Sequence, residues 1–563
     1  MTTKYAQHVS PKTIPQTEPI PGKPMQANNG GGFSFVVDKW SQLERFLILG
    51  AAGGTYYVTE KKLTVENAQI ALECATEDYK RAVDLIVAIS VEGRAPKNDP
   101  AIFALALIGA QGTPAAKLYA NSNMHKVCRI GTHLFAWVTA IKSLRGWSKA
   151  LSRAVREWYT VHKTADQIAY QFTKYQQRDG MSHRDVMRLA HVPANVPLLR
   201  WAVNDGNMAE REVKRFSLKA GMKTELRTDK YPAVNPSDLP QIVQGFEAAK
   251  KATDKAEVAS LIRKHGLTRE MVPTQFLNEV VVWDALLEKM PLHAMIRNLG
   301  KMTSVGLLKP MSDGVRQVVT MLADVERLRK SRVHPLAVLT ALKIYAQGHG
   351  DKGSLTWSPD QSIVDALDTA FYASFPNAPI TGKRWMLGID VSASMGAAIA
   401  GSPLSCCEAA TALALVTTHN EPVTFTGRFN NGFEKVPFGN KTRLEDALRY
   451  TRNINGGGTD CAMPMLYALQ EKIPVDVFVT MTDNETNSGR SMHATQALKQ
   501  YRDKMGIGSK NIVCGMTATG FTVNYPSDAG GLDVVGFSTT TPLVMANFVG
   551  VPKTEKFVEA EDE

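Results

Sequence analysis

Five side chains with oxygen ligands lie at the ends of predicted strands or in a glycine-rich loop, all in the last third of the chain. They are Asp390, Ser392, Ser394, Thr459 and Asp483. Hydroxyl and carboxylate oxygens are the ligands that hard divalent cations prefer, Mg²⁺ above all. Because hydroxyls leave the charge of the ion only partly neutralised, the ion can accept an acidic group from a partner. The pattern predicts a metal site of this kind.

Two other interpretations of these residues stay open. The site can be vestigial and empty, or the two carboxylates can belong to a catalytic centre. The catalytic interpretation is weaker, because no activated nucleophile stands beside Asp390 and Asp483 and the chain has no G-x-x-x-x-G-K-[ST] loop. We therefore predict no catalytic residues and no enzyme activity.

Alternating strands and helices from about residue 383 must position the five side chains. Short apolar runs at 385–391, 422–429, 475–483, 511–518 and 532–537 are typical of buried strands. Helical patterns lie between several of them, which predicts a mostly parallel sheet with helices on both faces, an α/β fold. Such folds bind ligands beyond the carboxyl ends of their strands, so the five side chains should converge at one edge.

The pattern is helical from about residue 33 to 375. Asp99-Pro100 and Thr113-Pro114 each place an N-cap residue before a proline at the first helical position. Apolar residues recur between such signals with a period near 3.6. We expect an array of antiparallel helix pairs, as in an α-solenoid, although no fixed-period repeat is visible.

The two terminal segments and the cysteine content indicate the class of protein. Residues 1–32 are rich in Pro, Gln and Asn and end in a glycine run, which predicts a mobile arm, and the acidic tail at 551–563 is polar. No membrane helix or secretory signal is recognisable. The six cysteines fit no metal or disulfide framework. These features predict a cytoplasmic protein with reduced thiols and no membrane partner.

The net charge of +11 is unevenly distributed over the 563 residues. Residues 381–563 carry 16 Lys and Arg against 19 Asp and Glu, whereas residues 1–380 carry 49 against 35, a surplus of +14. A basic region beside a near-neutral one indicates a polyanionic partner, most often nucleic acid. A basic protein with no such partner is the alternative.

Two basic segments are candidates for contact with phosphates. In the first, a stripe of cations is offset from the predicted core positions Trp147, Leu151, Val155 and Trp158, and it comprises Arg145, Lys149, Arg153 and Arg156. In the second, a helix end followed by a basic helix carries Lys174, Arg178, His183, Arg184, Arg188 and His191. Such residues can bind phosphates or stack on bases, but a solvated helix face gives the same pattern.

The metal motif resembles the metal-ion-dependent adhesion site of von Willebrand factor A domains. D-x-S-x-S followed by a Thr in a glycine-rich loop and then a strand-end Asp is the order found in that family. The resemblance implies direct coordination by Ser392, Ser394 and Thr459, and mainly water-mediated contact by Asp390 and Asp483.

Several longer segments resemble the Ro 60 kDa family, also called TROVE proteins. They occur in the family's order over about residues 33–548 and include FLILGAAGGTYYVTEKKLT, CRIGTHLFAW, KYQQRDGMSHRDVMRLAH, MPLHAMIRNLGKMTS, RVHPLAVLTALKIYAQGHG, VTMTDNET and IVCGMTATGFT. The resemblance implies a closed ring of HEAT-like helical repeats with a basic central hole, whose ends are joined by the von Willebrand factor A domain. The predicted domains are 1–32, 33–380, 381–550 and 551–563.

The resemblance also implies RNA partners. Y RNAs bind the outer surface in the family, misfolded noncoding RNAs thread a single-stranded 3′ end into the hole, and bacterial relatives work with a 3′-exoribonuclease. The family's RNA-surface residues correspond to Lys174, Arg178 and His191. We extend the surface to His183, Arg184, Arg188, Arg145, Lys149 and Arg153, and we expect Arg297 and Lys301 to face the hole, whereas His293 is expected to be structural.

The sequence therefore predicts a non-enzymatic RNA-binding protein of a ribonucleoprotein particle, monomeric as a protein and holding a divalent cation. One rival is an adaptor in which the metal recruits a protein partner and RNA binding is incidental. An enzyme that acts on RNA is disfavoured, because the candidate acids lie in the part without surplus positive charge.

Overall fold

The computed structural model describes most of the chain between residues 13 and 550. The described ranges are 13–50, 68–95, 97–204, 206–219, 222–331, 333, 335–350, 354–374, 380–399, 404–452, 458–488, 492–517, 519–536 and 541–550. The predicted acidic tail and the first twelve residues of the predicted arm lie outside them. Only the backbone is described for residues 211–219 and 222–231.

The first two thirds of the described chain form the helical part. Its α-helices are α1 (Lys39–Leu49), α2 (Gln69–Glu92), α3 (Asp99–Gln111), α4 (Pro114–Ser122), α5 (Met124–Val127), α6 (Gly131–Leu144), α7 (Lys149–Thr160), α8 (Ala165–Lys174), α9 (His183–Ala190), α10 (Pro197–Val203), α11 (Gln241–Lys251), α12 (Lys255–His265), α13 (Val280–Leu287), α14 (Leu292–Ser304), α15 (Asp313–Ala323), α16 (Val325–Ser331), α17 (Pro335–Gln347) and α18 (Gln361–Ala373). Neighbours in the chain pack on one another, as α2 on α3 and α12 on α13. The predicted helical array is confirmed.

Local sequence explains where these helices begin. Thr113 caps α4, because its side chain accepts a hydrogen bond from the Ala116 N–H at 3.3 Å. The cap predicted at Asp99 is one residue off, since Asn98 occupies the N-cap position of α3 and Asp99 is the first helical residue. The Asn98 side chain instead bonds Ser90 and the Val127 carbonyl, which ties neighbouring helices together.

The last third forms the sheet domain. Two hairpins interrupt the helical part, β3 (Gln177–Arg178) with β4 (Met181–Ser182) and β5 (Arg211–Lys219) with β6 (Met222–Tyr231). Two strands precede the first helix, β1 (Met25–Ala27) and β2 (Phe33–Val36). The strands of the sheet domain are β7 (Arg384–Asp390), β8 (Val423–Phe429), β9 (Phe433–Lys435), β10 (Val477–Thr482), β11 (Lys510–Gly515), β12 (Phe521–Thr522) and β13 (Gly531–Val535). The helices of the sheet domain are α19 (Cys406–Asn420), α20 (Leu444–Thr451), α21 (Met463–Gln470), α22 (Ala494–Met505) and α23 (Thr541–Val549).

The main sheet has the order β13-β11-β10-β7-β8-β9 and is parallel except for β9. Both of its faces are covered, as the near-continuous apolar strands require. Met386 of β7 packs into a core formed with α21 and α22, whereas Leu387 and Ile389 join the core that includes α19. The predicted parallel α/β arrangement is confirmed.

Residues 13–36, which we call the N-terminal strap, differ from the expected mobile arm. The strands β1 and β2 form an antiparallel sheet with β12 of the sheet domain. Gln16 is fully buried, and a Cβ on Gly32 would stand 1.9 Å from the Thr486 carbonyl oxygen, so only glycine fits there. The Gln, Asn and Gly residues of this segment therefore allow close polar packing against the sheet domain.

The first end of the helical part is fixed to the sheet domain by Arg45 of α1. Its side chain is 1% exposed and donates hydrogen bonds to the carbonyl oxygens of Thr519 and Phe521. Burial lowers the pKa of Arg45, and the charges of Asp533 and Asp38 oppose that shift. A buried guanidinium tolerates its desolvation only while such partners remain.

The other end of the helical part packs on the same domain. Lys343 of α17 lies 3.0 Å from the carboxylate of Glu408 in α19, and Arg443 lies 2.9 Å from Asp365 of α18. The rings of Tyr372 and His419 stack at a centroid distance of 4.5 Å. Both ends of the helical part therefore meet the sheet domain, which closes the array.

The closure makes Arg45 a test of the fold. Replacing Arg45 by Met should make the amide hydrogens of α1 exchange about 100-fold faster, since removing one partner of a buried charged network costs about 3 kcal/mol. Hydrogen exchange followed by mass spectrometry measures this. Lys39→Ala is the control, because its ion pair with Glu77 is exposed and should contribute little. Unchanged exchange in the Arg45 variant would contradict the closure.

Candidate metal centre and cationic surface

The candidate metal centre is built where β7 and β10 end side by side. The two strands pair in parallel with Met481 opposite Ile389, so Thr482 comes next to Asp390. The Thr482 hydroxyl donates to one Asp390 carboxylate oxygen at 2.7 Å, and the Ser392 N–H donates to the other at 2.9 Å. Asp390 is fully buried and has a fixed orientation.

The three hydroxyls come from two loops at this edge. The Oγ atoms of Ser392 and Ser394 are 2.9 Å apart. Thr459 is buried, and its backbone is fixed on both sides by Asn487, whose side chain accepts from the Thr459 N–H at 2.8 Å and whose N–H donates to the Thr459 carbonyl at 2.9 Å. The two glycines before Gly458 lie outside the described residues. The strand order thus brings both loops to the predicted edge.

The two carboxylates suit a cation between them. Burial raises the pKa of Asp390 to about 7, with a further contribution from the charge of Asp483, and burial also raises the pKa of Asp483. One oxygen of Asp483 accepts from the Glu485 N–H at 3.1 Å, and the Ser394 hydroxyl is near enough to the carboxylate to oppose that rise in the pKa of Asp483. The second oxygen is buried and has no hydrogen bond of good geometry among the described residues. Such an orphaned oxygen calls for a partner, and a cation would satisfy it.

The type of ligand at this edge favours a hard ion. No group of three or more His, Cys, Asp or Glu side chains is placed to hold a metal in the described ranges. Hydroxyls and carboxylates therefore make up the donor set, which fits an ion that prefers oxygen and not one that prefers nitrogen or sulfur. All six cysteines are free and buried.

The N-terminal strap supports the loops that carry the candidate site. This support was not predicted from the sequence. The amide of Gln16 donates to Asp460, next to Thr459, at 2.7 Å. The Asn29 side chain and the Gly30 N–H donate to the carboxylate of Glu485 at 2.8 and 2.7 Å. Burial and the charge of Asp483 raise the pKa of Glu485 to about 7. The Asn-Asn-Gly-Gly-Gly run was the one sequence feature that could have indicated close packing of this segment.

The second basic segment forms a compact helix–hairpin–helix unit. Helix α8 ends at Lys174, the hairpin β3–β4 follows, and α9 begins after Ser182, which caps it. The two turn residues Asp179 and Gly180 have φ of 51° and 74°, as a type I′ hairpin turn requires. The predicted helix end and second helix are present, with the hairpin between them.

Three residues of this unit keep polar groups at the surface. Lys174 is half-buried, and its ammonium donates to the Tyr170 hydroxyl at 2.8 Å. Burial opposes its charge, but the hydrogen bond to Tyr170 and the nearby Tyr175 and Glu270 raise its pKa overall, so it stays a cation. Arg178 is exposed and lies 3.2 Å from Asp99. His191, at the C-cap of α9, is exposed.

His183 is a correction, because the structure places it in the core. Its ring is 5% exposed and packs edge-on against Phe135 and Phe172, and its Nδ1 lies 2.7 Å from the Tyr159 hydroxyl. Burial lowers the pKa of His183 to about 3. Apolar packing of this kind excludes contact with RNA, so the prediction for His183 is wrong.

The first basic segment is not one continuous helix. Arg145 caps the end of α6, Gly146 takes a φ of 90°, and α7 begins at Lys149. Lys149 and Arg153 remain exposed on α7, with Arg153 2.8 Å from Glu157. The stripe predicted through Arg145 is therefore split by a turn.

The remaining predicted contacts lie on two helices. In α9, Arg188 is exposed and donates to the Val203 carbonyl at 3.3 Å, whereas Arg184 is half-buried. In α14, Arg297 is exposed and Lys301 donates to Asn278 at 2.7 Å. His293 lies 3.1 Å from the Ser331 carbonyl, a contact between helices that fits its expected structural role.

Comparison with known proteins covers almost the whole chain. The TROVE domain model matches residues 26–383, and the Ro60 vWA domain model matches residues 384–549. The chain belongs to the Ro60 family. RNA-binding protein RO60 of Caenorhabditis elegans is 37% identical to this Ro60 family member, over 93% of this chain and 89% of the relative. The protein of the same name from Deinococcus radiodurans is 36% identical, over 96% and 98%.

A solved structure supports the same fold. The crystal structure of the Deinococcus radiodurans Ro (RSR) protein matches with a TM-score of 0.68 at 35% identity, covering 91% of this chain and 99% of that one. The Ro60 family architecture of helical part plus von Willebrand factor A domain is thus established. In the part of the chain that the structure describes, no helix is long and apolar enough to cross a membrane.

The metal centre yields a direct prediction. Asp390→Ala should abolish binding of a divalent cation, because it removes the buried carboxylate that fixes Ser392 and Thr482. Calorimetric titration with Mg²⁺ or Mn²⁺ measures the loss. Asp446→Ala removes an exposed acid of α20 and should leave binding unchanged. An Asp390 variant that keeps its fold and its cation affinity would refute the site.

Proposed function

We propose that this protein binds RNA through its helical part, as the RNA-binding component of a ribonucleoprotein particle for RNA quality control and processing. The observation that carries the proposal is the separation of charge, with a surplus of +14 on residues 1–380 and −3 on residues 381–563. The two relatives named above are RNA-binding proteins by name. A basic body attracts phosphates irrespective of base sequence, so affinity should fall steeply with salt.

The outer surface of the helical part is proposed to bind structured RNAs of the Y RNA type. Lys174, Arg178 and His191 provide its centre, since all three present polar groups to solvent on the helix–hairpin–helix unit. Further contacts are proposed for the flanking cations, namely Arg184, Arg188, Arg145, Lys149 and Arg153. Contacts that distinguish one RNA from another would be made at loops or bulges, where bases are accessible.

Misfolded noncoding RNAs are proposed to enter a central hole by a single-stranded 3′ end. The contacts of both α1 and α18 with the sheet domain support this mode, because an array closed in this way can enclose a hole. A hole narrower than a duplex would select RNAs with a free unpaired end by size alone. Arg297 and Lys301 of α14 are proposed to face it.

The sheet domain is proposed to bind Mg²⁺ and, through it, an acidic group of a protein. Ser392, Ser394 and Thr459 would coordinate the ion directly, and Asp390 and Asp483 mainly through water. The bound ion would supply a positive charge at the sheet edge. A 3′-exoribonuclease is the proposed kind of protein partner, and the protein is proposed to act in the cytoplasm, as a monomer and without catalysis of its own.

The domain limits are proposed as 33–380 for the helical ring and 381–550 for the von Willebrand factor A-like domain.

An alternative function is that of an adaptor whose metal site recruits a protein while RNA binding is incidental. The buried Asp390, Ser392, Thr459 and Asp483, with Ser394 in contact with Ser392, provide the oxygen ligands that such an adaptor would use.

One experiment separates the two functions. Filter binding at low salt should show that the protein binds a hairpin RNA, and that it binds a hairpin with a single-stranded 3′ tail more tightly, because only the tail can enter a narrow hole. A hairpin with an equally long 5′ tail is the control for added phosphates. Absence of affinity for every one of these RNAs would exclude RNA binding and favour the adaptor.

A triple variant tests the separate surfaces. Replacing Lys174, Arg178 and His191 together by Ala should weaken binding of a Y-like RNA about 100-fold and binding of a tailed RNA far less, since charged contacts to phosphates are lost only on the outer surface. Lys435, Lys472 and Lys499, all exposed on the sheet domain, provide the control triple variant. Equal losses for both RNAs would argue against an outer surface distinct from the hole.

A further inference from the structure

The strands β5 and β6, which we call the basic ribbon, are not used by the contacts proposed so far. In the described part of the chain they form a two-stranded antiparallel sheet of their own, with strands of 9 and 10 residues. The ribbon is therefore about 30 Å long. Two strands alone are marginally stable in water, so a ribbon of this length is expected to gain stability from a partner that lies along it.

The basic ribbon begins beside the helix–hairpin–helix unit. It lies in the chain between α10, which packs on α9, and α11, which packs on α8. Arg188 of α9 donates to the carbonyl of Val203, where α10 ends, at 3.3 Å. The Val234 N–H closes the base of the ribbon by donating to the Met208 carbonyl at 2.8 Å. An RNA that is bound on the helix–hairpin–helix unit can therefore reach the ribbon.

The pairing register gives the ribbon two faces of unequal charge. Alternate residues of one strand share a face with the residues directly opposite them on the other strand. One face, which we call the cationic face, holds four cations and one acid, namely Arg211, Arg215, Lys219, Arg227 and Asp229. The other face holds three cations and two acids, namely Lys214, Lys223, Lys230, Glu212 and Glu225. The surplus positive charge therefore lies along one face, in a row about 27 Å long.

Two arginines occupy directly opposite positions on the cationic face. Arg215 is paired with Arg227 at the point where a bulge shifts the register, with Leu226 as the extra residue. Like charges at opposite positions destabilise a pair of strands. An anionic group beside this pair would offset the repulsion, so the register favours an anionic ligand on this face.

The residue types of the cationic face favour a duplex over a single strand. Proteins that hold single-stranded RNA without sequence preference combine cations with successive aromatic side chains on which the bases stack. On this face of the described strands, Tyr231 at the base is the one aromatic residue, and Phe216 belongs to the other face. The row of cations is comparable in length with one turn of a nucleic-acid duplex, about 34 Å. Cations without aromatic neighbours suit the phosphates of a stem, whose bases are paired.

We propose that the basic ribbon binds the duplex stem of an RNA held on the helix–hairpin–helix unit, with the cationic face along the phosphate backbone of the stem. The inference rests on the proposed function and deepens it, because it adds the stem to the loops and bulges as a part of the RNA that is bound. Contacts to phosphates position a nucleic acid and do not read its sequence. The ribbon therefore accepts any stem that is long enough to follow it.

Two matched double variants test the proposal by filter binding at several salt concentrations. Arg215→Gln with Arg227→Gln should weaken binding of a hairpin with a stem of about twelve base pairs about 25-fold, which is about fivefold for each phosphate contact. The slope of log affinity against log salt should fall by about two, and binding of a single-stranded RNA should be unchanged. Lys214→Gln with Lys223→Gln is the control, since it removes the same charge from the other face, at positions opposite uncharged residues, and should weaken binding about twofold at most.

A third variant keeps the test independent of any loss of fold. Asp229→Asn removes the acid of the cationic face, at a position opposite Val213. It should tighten binding of the same hairpin about threefold, because a repulsion between the acid and the phosphates is removed. A protein that had lost its fold would not show such a gain, and unchanged affinity in this variant would contradict the proposal.

The outcomes separate this inference from the function beneath it. If the wild-type protein binds neither RNA, RNA binding itself fails and the role of the ribbon fails with it. If the hairpin binds but the arginine variant keeps wild-type affinity, or both double variants weaken binding equally, RNA binding stands and the cationic face is not the contact. If the arginine variant weakens the single strand as much as the hairpin, the ribbon binds single strands, which overturns the duplex stem as its ligand.

Discussion

The closure of the helical part on one domain is the constraint from which the other features follow. Arg45 is buried where α1 meets β12, and ion pairs through Lys343 and Arg443 fix α17 and α18 to the same domain. Removal of this guanidinium would leave the buried carbonyl oxygen of Thr519 without its donor, which costs free energy. Helical arrays in which each helix touches only its neighbours are otherwise open at both ends, so these contacts hold the cationic helices in one body.

The same closure joins the two candidate sites. The N-terminal strap is continuous with α1, and it bonds the loops that carry Thr459 and Asp483 through Gln16 and Asn29. The candidate metal centre therefore lies on a domain whose loops are supported by residues far away in the chain. The surplus positive charge lies elsewhere, on the helical part, so a cation and a polyanion can be held by one protein without competing for the same residues.

Periodicity and motif spacing predicted the helices and strands but not which distant residues would contact one another. The parallel sheet followed from apolar runs that were buried on both faces, and the edge that gathers Asp390 and Ser392 followed from the topology of such sheets. Two predictions, that His183 contacts RNA and that the segment with Gln16 is mobile, differ from the structure for the same reason. His183 and Gln16 are polar residues buried by contacts distant in sequence, with Phe135 in one case and Asp460 in the other, and no local pattern reports such contacts. The turn at Gly146, which splits the basic stripe, depends on one positive φ.

The central claim is that RNA lies on the helical part and the sheet domain does not hold it. Ultraviolet crosslinking of the RNA that co-purifies with the protein, with crosslinked peptides identified by mass spectrometry, tests this most directly. The account predicts crosslinks in the helical part, with a concentration between residues 165 and 204, and almost none between 384 and 549. Crosslinks concentrated in the sheet domain, or the absence of any co-purifying RNA, would contradict it.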